Sequence, residues 1–357
     1  MTALALSHAG MRVTLLERSD DTGRTGAAIH VEHRLLERIV GPMRVSRGRE
    51  IPAGVQTWFT VHAGLRDAVL ADANIRLHSH TAVGAVGEDD ASAWATTAHA
   101  GTFRGDIVIG ADGHRSLVRQ CVDPRHPHAS FAGYLIWLGV AQEGALPANT
   151  RWPSEVAYLE SGDFILLGYP LPGPDGSQEQ GKRQLGWAWY DASRDRLVRD
   201  SGCVVGDVVQ HTLGAQHVPQ AVRRDLVLQA RECWPAPWRD AILDCLERHA
   251  VIGTPIAEYL PERLIHGRLA LVGDAAHVPT PMTGKGFGAS LQDALDLAAA
   301  VRTEPLARVG PEVLRHYEHS RLPAVRSLVQ NGQQFSRSFA PRVSAQDVGR
   351  RHSCARP

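Results

Sequence analysis

An acidic residue that could bind a ribose follows the first apolar stretch of the chain. Residues 11–16 are largely apolar and β-branched, and Glu17 comes directly after them. An acid at the end of the second strand of a dinucleotide-binding βαβ unit accepts hydrogen bonds from ribose hydroxyls. Arg18 and Arg24 follow, from where they could face an adenine or a pyrophosphate. The alternative is that all three side chains are solvated charges near a strand end.

A second candidate is the pair Asp112-Gly113 in the segment GDIVIGADGHRSLVR. Glycine permits a sharp turn there, and the backbone N–H groups that open the next helix could meet a phosphate. The alternative is a plain turn, which is the usual role of an Asp-Gly pair.

The third candidate is the segment GDAAHVPTPMTGKGFGASLQDA at residues 273–294. A buried strand ends directly before Asp274, which places a carboxylate at the carboxyl edge of a sheet, where ligands of α/β proteins bind. Gly284, Gly286 and Gly288 then open a helix. They would let backbone approach a flat ligand, and the positive helix end would favour negative charge there.

The elements around Glu17 form the second half of a βαβ unit. Residues 2–9 are predicted to be a helix that ends at Gly10, followed by the strand at 11–16. The sequence ahead of that helix contains neither a strand nor a G-x-G-x-x-G turn. We therefore expect a Rossmann-like unit whose first strand is missing.

Periodicity and turn residues predict the remaining elements. The predicted helices lie at 58–71, 219–230, 238–249, 286–301 and 311–335. Predicted strands lie at 75–78, 83–86, 94–98, 105–110 and 268–272, and alternating aromatic strands fill 131–190. We expect an α/β (α+β) fold with a discontinuous nucleotide-binding domain at 1–125 and 256–339, an antiparallel-sheet substrate domain at 126–255 and a tail at 340–357.

Composition excludes several classes of function. Lys+Arg and Asp+Glu both number 38, so no net charge favours nucleic acid. The 5 cysteines form no CxxC pair, which indicates a reducing cytoplasm and no zinc site. The 18 histidines include no HExxH, and the HPH at 126–128 is expected to be a polar loop rather than a metal site. We expect neither a signal peptide nor a membrane span.

Taken together, these motifs resemble those of one enzyme family. GADGHRS and GDAAHxxxPxxGxGxxxSLxDA, with ALALSHAGMRVTLLERSD before them and YEHSRLPAV after them, resemble the group A flavoprotein monooxygenases, the para-hydroxybenzoate hydroxylase-like family. The resemblance spans roughly residues 3 to 335. FAGYLIWLGV and the later loop LLGYPLPGPDGSQEQGKRQLGWAWYD are similar to the 2,6-dihydroxypyridine 3-hydroxylase-like subgroup.

The resemblance implies an FAD-dependent monooxygenase that uses NADH or NADPH and O₂. A hydroperoxide at flavin C4a would hydroxylate an electron-rich aromatic or N-heteroaromatic ring. From its composition we expect the protein to be cytoplasmic, and a homodimer is one option for its assembly. Glu17 would bind the ribose, Asp274 the ribityl chain, and Pro281 would lie beside the reactive ring edge. The implied cofactor-binding residues are Glu17, Arg18, Arg24, Asp112, Gly113, Asp274, Pro281, Gly284, Gly286, Phe287 and Gly288.

The sequence identifies substrate-binding and catalytic residues less clearly than cofactor-binding residues. Candidate pocket residues are Tyr134, Trp137, Trp187 and Met282, and the catalytic candidates are Pro281, His277 and Tyr169. Core packing is an equally good interpretation of each. Two alternative functions stay open, namely another flavin oxidoreductase on the same scaffold and a truncated, non-catalytic remnant that cannot hold FAD.

Overall fold

The computed structural model describes residues 1–19, 28–40, 44–45, 49–50, 54–174, 176–303 and 309–340. The chain divides into two compact units. Unit 1 comprises Met1–Ala129 and Glu258–Gln333, and unit 2 comprises Ser130–Ala257 and the residues from Gln334 onward.

The helices are α1 (Thr2–His8), α2 (His33–Val40), α3 (Trp58–Ala71), α4 (Leu117–Val122), α5 (Asp195–Asp200), α6 (Gln220–Cys233), α7 (Trp238–Glu247), α8 (Gly286–Arg302) and α9 (Pro311–Phe339). Local sequence explains several of their ends. Gly10, with φ of 88°, follows α1, and the Thr57 hydroxyl accepts a hydrogen bond from the Thr60 N–H at the start of α3.

The strands of unit 1 are β1 (Val13–Leu16), β2 (Ala28–Val31), β3 (Arg44–Val45), β4 (Arg49–Glu50), β5 (Gly54–Thr57), β6 (Ile75–His78), β7 (Val83–Glu88), β8 (Ala93–Thr97), β9 (Gly101–Gly105), β10 (Val108–Gly110), β18 (Ile265–His266) and β19 (Leu269–Leu271). Strands β1 and β6 pair in parallel, as do β10 and β19, and β7, β8 and β9 form an antiparallel sheet. In the described part of the chain, β1 and β10 each pair with one strand, so each keeps an unpaired edge.

Unit 2 is built on one antiparallel sheet. Its strands are β11 (Ser130–Gln142), β12 (Ala157–Ser161), β13 (Phe164–Leu171), β14 (Gln184–Asp191), β15 (Val204–Val205), β16 (Val208–Val209) and β17 (Ile252–Glu258). The order is β12-β13-β14-β11-β16-β15, and β17 also pairs with β11. Helices α6 and α7 pack on this sheet and bury the tryptophans of β11 and β14.

The predicted fold class, a mixed α/β fold with a second, antiparallel part, is confirmed. Helix α3 and strand β6 have the predicted bounds. The prediction of one continuous strand at 105–110 is wrong, because β9 ends at Gly105 and β10 begins at Val108. Within the described residues, no helix combines the length and apolar character needed to cross a membrane.

The units divide near the predicted domain boundaries, with one difference. They divide after Ala129 and after Ala257, where the sequence placed boundaries at 125 and 255. The end of α9 from Gln334, predicted to belong with the nucleotide-binding part, belongs instead to unit 2. The reason is aromatic packing, since Phe339 lies edge-on to Tyr134 with ring centroids 5.3 Å apart.

Candidate functional site

The end of β1 presents Glu17 and Arg18 as exposed side chains. The Glu17 backbone N–H donates to the carbonyl oxygen of His78 at 2.9 Å, which continues the pairing of β1 with β6. The Glu17 carboxylate accepts hydrogen bonds from the Ser19 N–H and hydroxyl, both at 2.9 Å. The acid is thus held at the carboxyl end of a parallel strand, as predicted. Arg24 lies outside the described residues.

Asp112 caps a helix instead of leaving its N-terminus open. Its carboxylate accepts hydrogen bonds from the Ser116 hydroxyl at 2.5 Å and from the Leu117 N–H at 2.7 Å. Ser116 in turn accepts from the Arg119 N–H at 3.0 Å as the N-cap of α4. The Leu117 N–H that sequence analysis offered to a phosphate is therefore occupied. Gly113 has a φ of 80°, and a Cβ there would meet no atom within 4 Å.

The turn after β19 is anchored by a buried carboxylate from α8. Asp293 accepts a hydrogen bond from the Gly273 N–H and contacts His277 Nε2, both at 2.7 Å, and it accepts from Arg321 Nε at 2.6 Å. Burial alone would raise the pKa of Asp293, but His277 and Arg321 outweigh it and hold the pKa below its ordinary value. His277, a catalytic candidate from the sequence, is fully buried against Asp293 in this turn, and its catalytic role stays a prediction.

Three polar side chains of the YEHSR segment of α9 each contact a different neighbouring element of unit 1. The Tyr317 hydroxyl donates to the carbonyl oxygen of Leu271 at 2.9 Å, at the end of β19. Arg321, one turn later on the same helix face, reaches α8. Between them, Glu318 accepts from the Leu264 N–H at 2.6 Å. Tyr317 therefore holds the end of β19, Glu318 holds the start of β18, and Arg321 holds α8; the sequence alone indicated none of these contacts.

Arg119 connects two of the predicted motifs. Its guanidinium donates to the carbonyl oxygens of Asp274 at 3.3 Å and Ala275 at 3.1 Å, and to that of His114. It is fully buried, and these acceptors are all backbone oxygens. Arg119 is the last residue of the segment GDIVIGADGHRSLVR, and the sequence alone did not indicate a role for it. Because Arg119 lies far from the GDAAH turn along the chain, no local sequence pattern could predict their contact.

The same guanidinium is packed on an aromatic ring. It lies 4.3 Å from the Tyr259 ring centroid, and the Tyr259 hydroxyl donates to Asp123 at 2.9 Å. Burial lowers the pKa of Arg119, whereas Tyr259 and nearby carboxylates oppose that shift. The arginine side chain is therefore fixed from two directions, which makes it a rigid connector.

Burial and neighbouring charges shift the pKa values of His114 and Asp274 in opposite directions. The pKa of His114 is lowered mainly by burial, and Asp274 opposes this while Arg115, Arg119 and Arg18 add to it. Asp274 is accessible to solvent, yet surrounding protein reduces its hydration and raises its pKa, against the attraction of His277, His114 and Arg119.

The segment leading into α8 has open space in front of its backbone. Pro281 is exposed and Met282 half-buried in the turn Pro281–Thr283. Gly284 has a φ of 62° and a Cβ there would meet no atom within 4 Å, and a Cβ at Gly286 would meet only Pro279 at 3.8 Å. Phe287 is half-buried in the core between α2 and α8. The first turn of α8 receives no side-chain cap from its N-cap residue.

Trp137 and Trp187, both predicted to line a substrate pocket, are fully buried in unit 2. The Trp137 Nε1–H donates to Asp191 at 3.0 Å. A Cβ at Gly139 would collide with the Trp187 ring at 2.5 Å. Burial favours the alternative that sequence analysis left open, core packing, and a pocket role for either residue stays a prediction.

Tyr134 and Tyr169 also pack closely. Tyr134 stacks on Tyr190 with ring centroids 5.9 Å apart. The Tyr169 ring covers Gly186, where a Cβ would lie 2.7 Å from Cδ2 of that ring. Burial, with Tyr134 nearby, raises the pKa of Tyr190 well above its ordinary range, so this phenol stays protonated. The catalytic role suggested for Tyr169 stays a prediction.

The HPH loop lies beside two carboxylates. His126 Nδ1 is 3.5 Å from Asp123 and 3.8 Å from Glu262, and the three ligand atoms all lie within 4.8 Å of one another. The Asp123 oxygen that faces His126 already accepts from Tyr259. The trio is therefore explained by hydrogen bonding and by exposed charges.

Comparison with known proteins identifies two flavin-related segments. A model described as an FAD binding domain matches residues 248–332, and a model described as FAD binding domain-like matches residues 131–246. The first of these contains the GDAAH turn, α8 and the YEHSR segment.

Curated relatives match over part of their length. The 2,6-dihydroxypyridine 3-monooxygenase of Paenarthrobacter nicotinovorans is 30% identical over 54% of this chain and 47% of the relative. An FAD-dependent urate hydroxylase of Klebsiella oxytoca is 28% identical over 63% of this chain and 50% of the relative. The chain thus spans about half the length of the curated relatives it matches.

Solved structures share the fold. The 2,6-dihydroxypyridine-3-hydroxylase from Arthrobacter nicotinovorans superposes with a TM-score of 0.74 at 21% identity, covering 100% of this chain and 95% of that one. Klebsiella pneumoniae HpxO, complexed with FAD and uric acid, gives 0.66 at 19% identity, covering 95% and 85%.

Proposed function

We propose that this chain, which belongs to the group A FAD-dependent aromatic hydroxylases, binds FAD and hydroxylates an electron-rich N-heteroaromatic or phenolic ring with NAD(P)H and O₂. The observation that carries the proposal is a direct connection between two of the motifs in unit 1. The Arg119 guanidinium donates to the carbonyl oxygens of His114 and Ala275, so it fixes the GADGHRS and GDAAH turns together.

The residues present fit FAD at two places. At the flavin end, Gly284 and Gly286 leave open space beside an uncapped helix start, and Asp274 is an accessible carboxylate. At the adenosine end, Glu17 stands exposed at the end of β1 with Arg18 next to it. The N-terminus of α4 does not fit a phosphate directly, because Asp112 occupies its Leu117 N–H.

Each of these residues has a binding task. Glu17 would accept from ribose hydroxyls, and Asp274 would accept from a ribityl hydroxyl. The first N–H groups of α8 would hold the N1–C2=O edge of the ring and favour negative charge there. The chemistry that FAD supplies when bound is transfer of electrons from NAD(P)H to O₂ and of one oxygen atom to the substrate.

Two relatives support a proposal for the substrate class. Those with the printed substrates 2,6-dihydroxypyridine and urate act on nitrogen heterocycles that carry oxygen substituents. Such rings are electron-rich, which suits attack by an electrophilic oxygen. We therefore place hydroxylated N-heterocycles ahead of simple phenols as substrates.

Among the residues that the structure describes, β1 and β10 each keep an unpaired edge, which supports a second candidate function, a fold remnant without FAD. Visible absorption of the purified chain distinguishes the FAD-dependent hydroxylase from the remnant without FAD. A version with an added β-strand and G-x-G-x-x-G turn ahead of Met1 serves as comparison. Flavin bands in either form, followed by NAD(P)H oxidation that depends on 2,6-dihydroxypyridine and yields a hydroxylated product, would support the hydroxylase. Colourless protein in both forms would refute it, and flavin with NAD(P)H oxidation but no oxygenated product would indicate a reductase.

A further inference from the structure

Glu32 brings a carboxylate to the first turn of α8. Its backbone is fixed, because the Leu35 and Leu36 N–H groups donate to its carbonyl oxygen at 3.0 and 3.1 Å as α2 begins. Its side chain extends away from α2 to Gly288. A Cβ at Gly288 would lie 3.0 Å from the carboxyl carbon of Glu32, and closer still to Oε1.

The contact is built into the packing of unit 1. Val31, which precedes Glu32, and Leu36, on α2, belong to the same buried cluster as Leu291 on α8. Phe287, next to Gly288, packs against that cluster. The strand and helix that carry Glu32 are therefore held against α8 by apolar contacts, and the carboxylate cannot leave α8 without a rotamer change.

The electrostatic setting explains why an acid is tolerated there. The start of a helix carries about half a positive charge, and its first N–H groups lack intrahelical acceptors. Glu32 is exposed, and no described residue forms an ion pair with it. The Glu32 carboxylate therefore places a negative charge beside the positive end of α8. Under the proposed function, the same helix end would stabilise negative charge on the reduced flavin ring.

We infer that Glu32 sets the redox preference of the flavin site, by opposing negative charge on reduced FAD at the first turn of α8. The inference rests on the proposed function. A carboxylate and an anionic ring that share one helix end repel each other, whereas a neutral oxidised ring does not. Glu32 therefore weakens binding of reduced FAD more than binding of oxidised FAD.

The size of the effect follows from the charge–helix term. Removal of one exposed charge beside the first turn of α8 should change the ratio of the two dissociation constants by up to about tenfold. For a two-electron couple, a tenfold change corresponds to about 30 mV in midpoint potential. Glu32→Gln should raise the potential of bound FAD by up to that amount, because the amide is neutral and nearly the same shape.

The experiment compares three proteins: the native sequence, Glu32→Gln and Glu37→Gln. Each is made both as the present chain and with the added β-strand and G-x-G-x-x-G turn. Glu37 is an exposed acid on α2 and is the matched control for charge removal. FAD, oxidised and then reduced with dithionite, is titrated into each protein, and the midpoint potential is measured separately with a reference dye.

A potential raised in Glu32→Gln and unchanged in Glu37→Gln would support the inference. Equal potentials in Glu32→Gln and the native protein would overturn it and leave the proposed function standing. Equal shifts in the two variants would also overturn it, since they would reflect net charge alone. Failure of every form to bind FAD would overturn both the inference and the proposed function.

Discussion

Arg119 Nη1 donates to the carbonyl oxygen of Ala275 at 3.1 Å, across 156 residues of sequence. The same side chain donates to the carbonyl oxygen of His114. Two motifs that stand far apart along the chain therefore share one buried cation. This connection, and not either motif alone, gives the site of unit 1 a fixed geometry.

Replacement of Arg119 by methionine should destabilise the chain strongly. The variant keeps an unbranched apolar stem, but it leaves the carbonyl oxygens of His114, Asp274 and Ala275 without their donor. Loss of charged hydrogen bonds from a buried site costs about 3 kcal/mol or more. Urea unfolding measures the loss, and Arg115→Met, at an exposed neighbour, is the control. A loss below about 1 kcal/mol in Arg119→Met would contradict a connecting role.

Asp293→Asn should remove part of the acid sensitivity of the protein. The folded-state pKa of Asp293 is depressed, so its contribution to stability is present above the unfolded-state pKa and is lost as pH falls below about 4. The variant leaves the buried Arg321 with only the more distant carboxylate of Asp296, at 3.9 Å, and loss of the closer partner costs about 3 kcal/mol near neutral pH.

The measurement for Asp293→Asn is urea unfolding across pH 3 to 7, an interval of about four units around the carboxyl pKa. The gap in free energy of unfolding between native and variant should shrink as pH falls. A gap that stays constant over that interval would show that the charge of Asp293 does not matter.

Asp274→Asn should stabilise the FAD-free chain while weakening FAD. The folded-state pKa of Asp274 is raised, so its ionisation costs stability as pH rises through that pKa, and at neutral pH the amide is the better fit. Loss of a charged acceptor for the ribityl chain should weaken FAD about tenfold. Thermal melts without FAD and fluorescence titrations with FAD test the two effects separately. A variant less stable than the native chain at neutral pH would contradict the first expectation.

Substitution of Trp187 tests whether this aromatic side chain of β14 packs in the core of unit 2 or lines a substrate pocket. Trp187→Ala should cost about 3–5 kcal/mol, because the ring fills the space over Gly139. Tyr158→Ala, at an exposed aromatic of β12, should cost less than about 0.5 kcal/mol beyond its hydrogen bond to Glu160. The milder Trp187→Phe should leave KM for the heterocycle unchanged in a flavin-loaded form. A raised KM with unchanged stability would restore the pocket assignment.

Local patterns in the sequence were enough to place the main elements. The apolar spacing of α3 and the glycine-to-strand transition before β1 depend on neighbours within a few residues, so both were predicted closely. The prediction of one strand at 105–110 was wrong, because the local sequence does not reveal the break between β9 and β10. Pairing partners decide such a break, and they lie elsewhere in the chain.

The candidate site shows the same division. The positions of Glu17 and Asp274 at strand ends could be predicted, because a strand end is a local feature. The capping of α4 by Asp112 was missed, although the Asp-to-Ser spacing in GADGHRS was a usable signal. The burial of Trp137 and Trp187 could not be predicted, since a strand aromatic has the same local pattern whether it packs or binds.

The sequence by itself determined the order of the elements, the residue types at their ends and the family resemblance, because each is written in short stretches of chain. Tertiary structure alone decided which of those residues meet. Arg119 reaches Ala275, Asp293 gathers His277 and Arg321, and Glu32 reaches Gly288. Side-chain hydrogen bonds and charge contacts extend only a few ångströms, so they depend on distances that the folded backbone sets and that spacing along the chain does not contain.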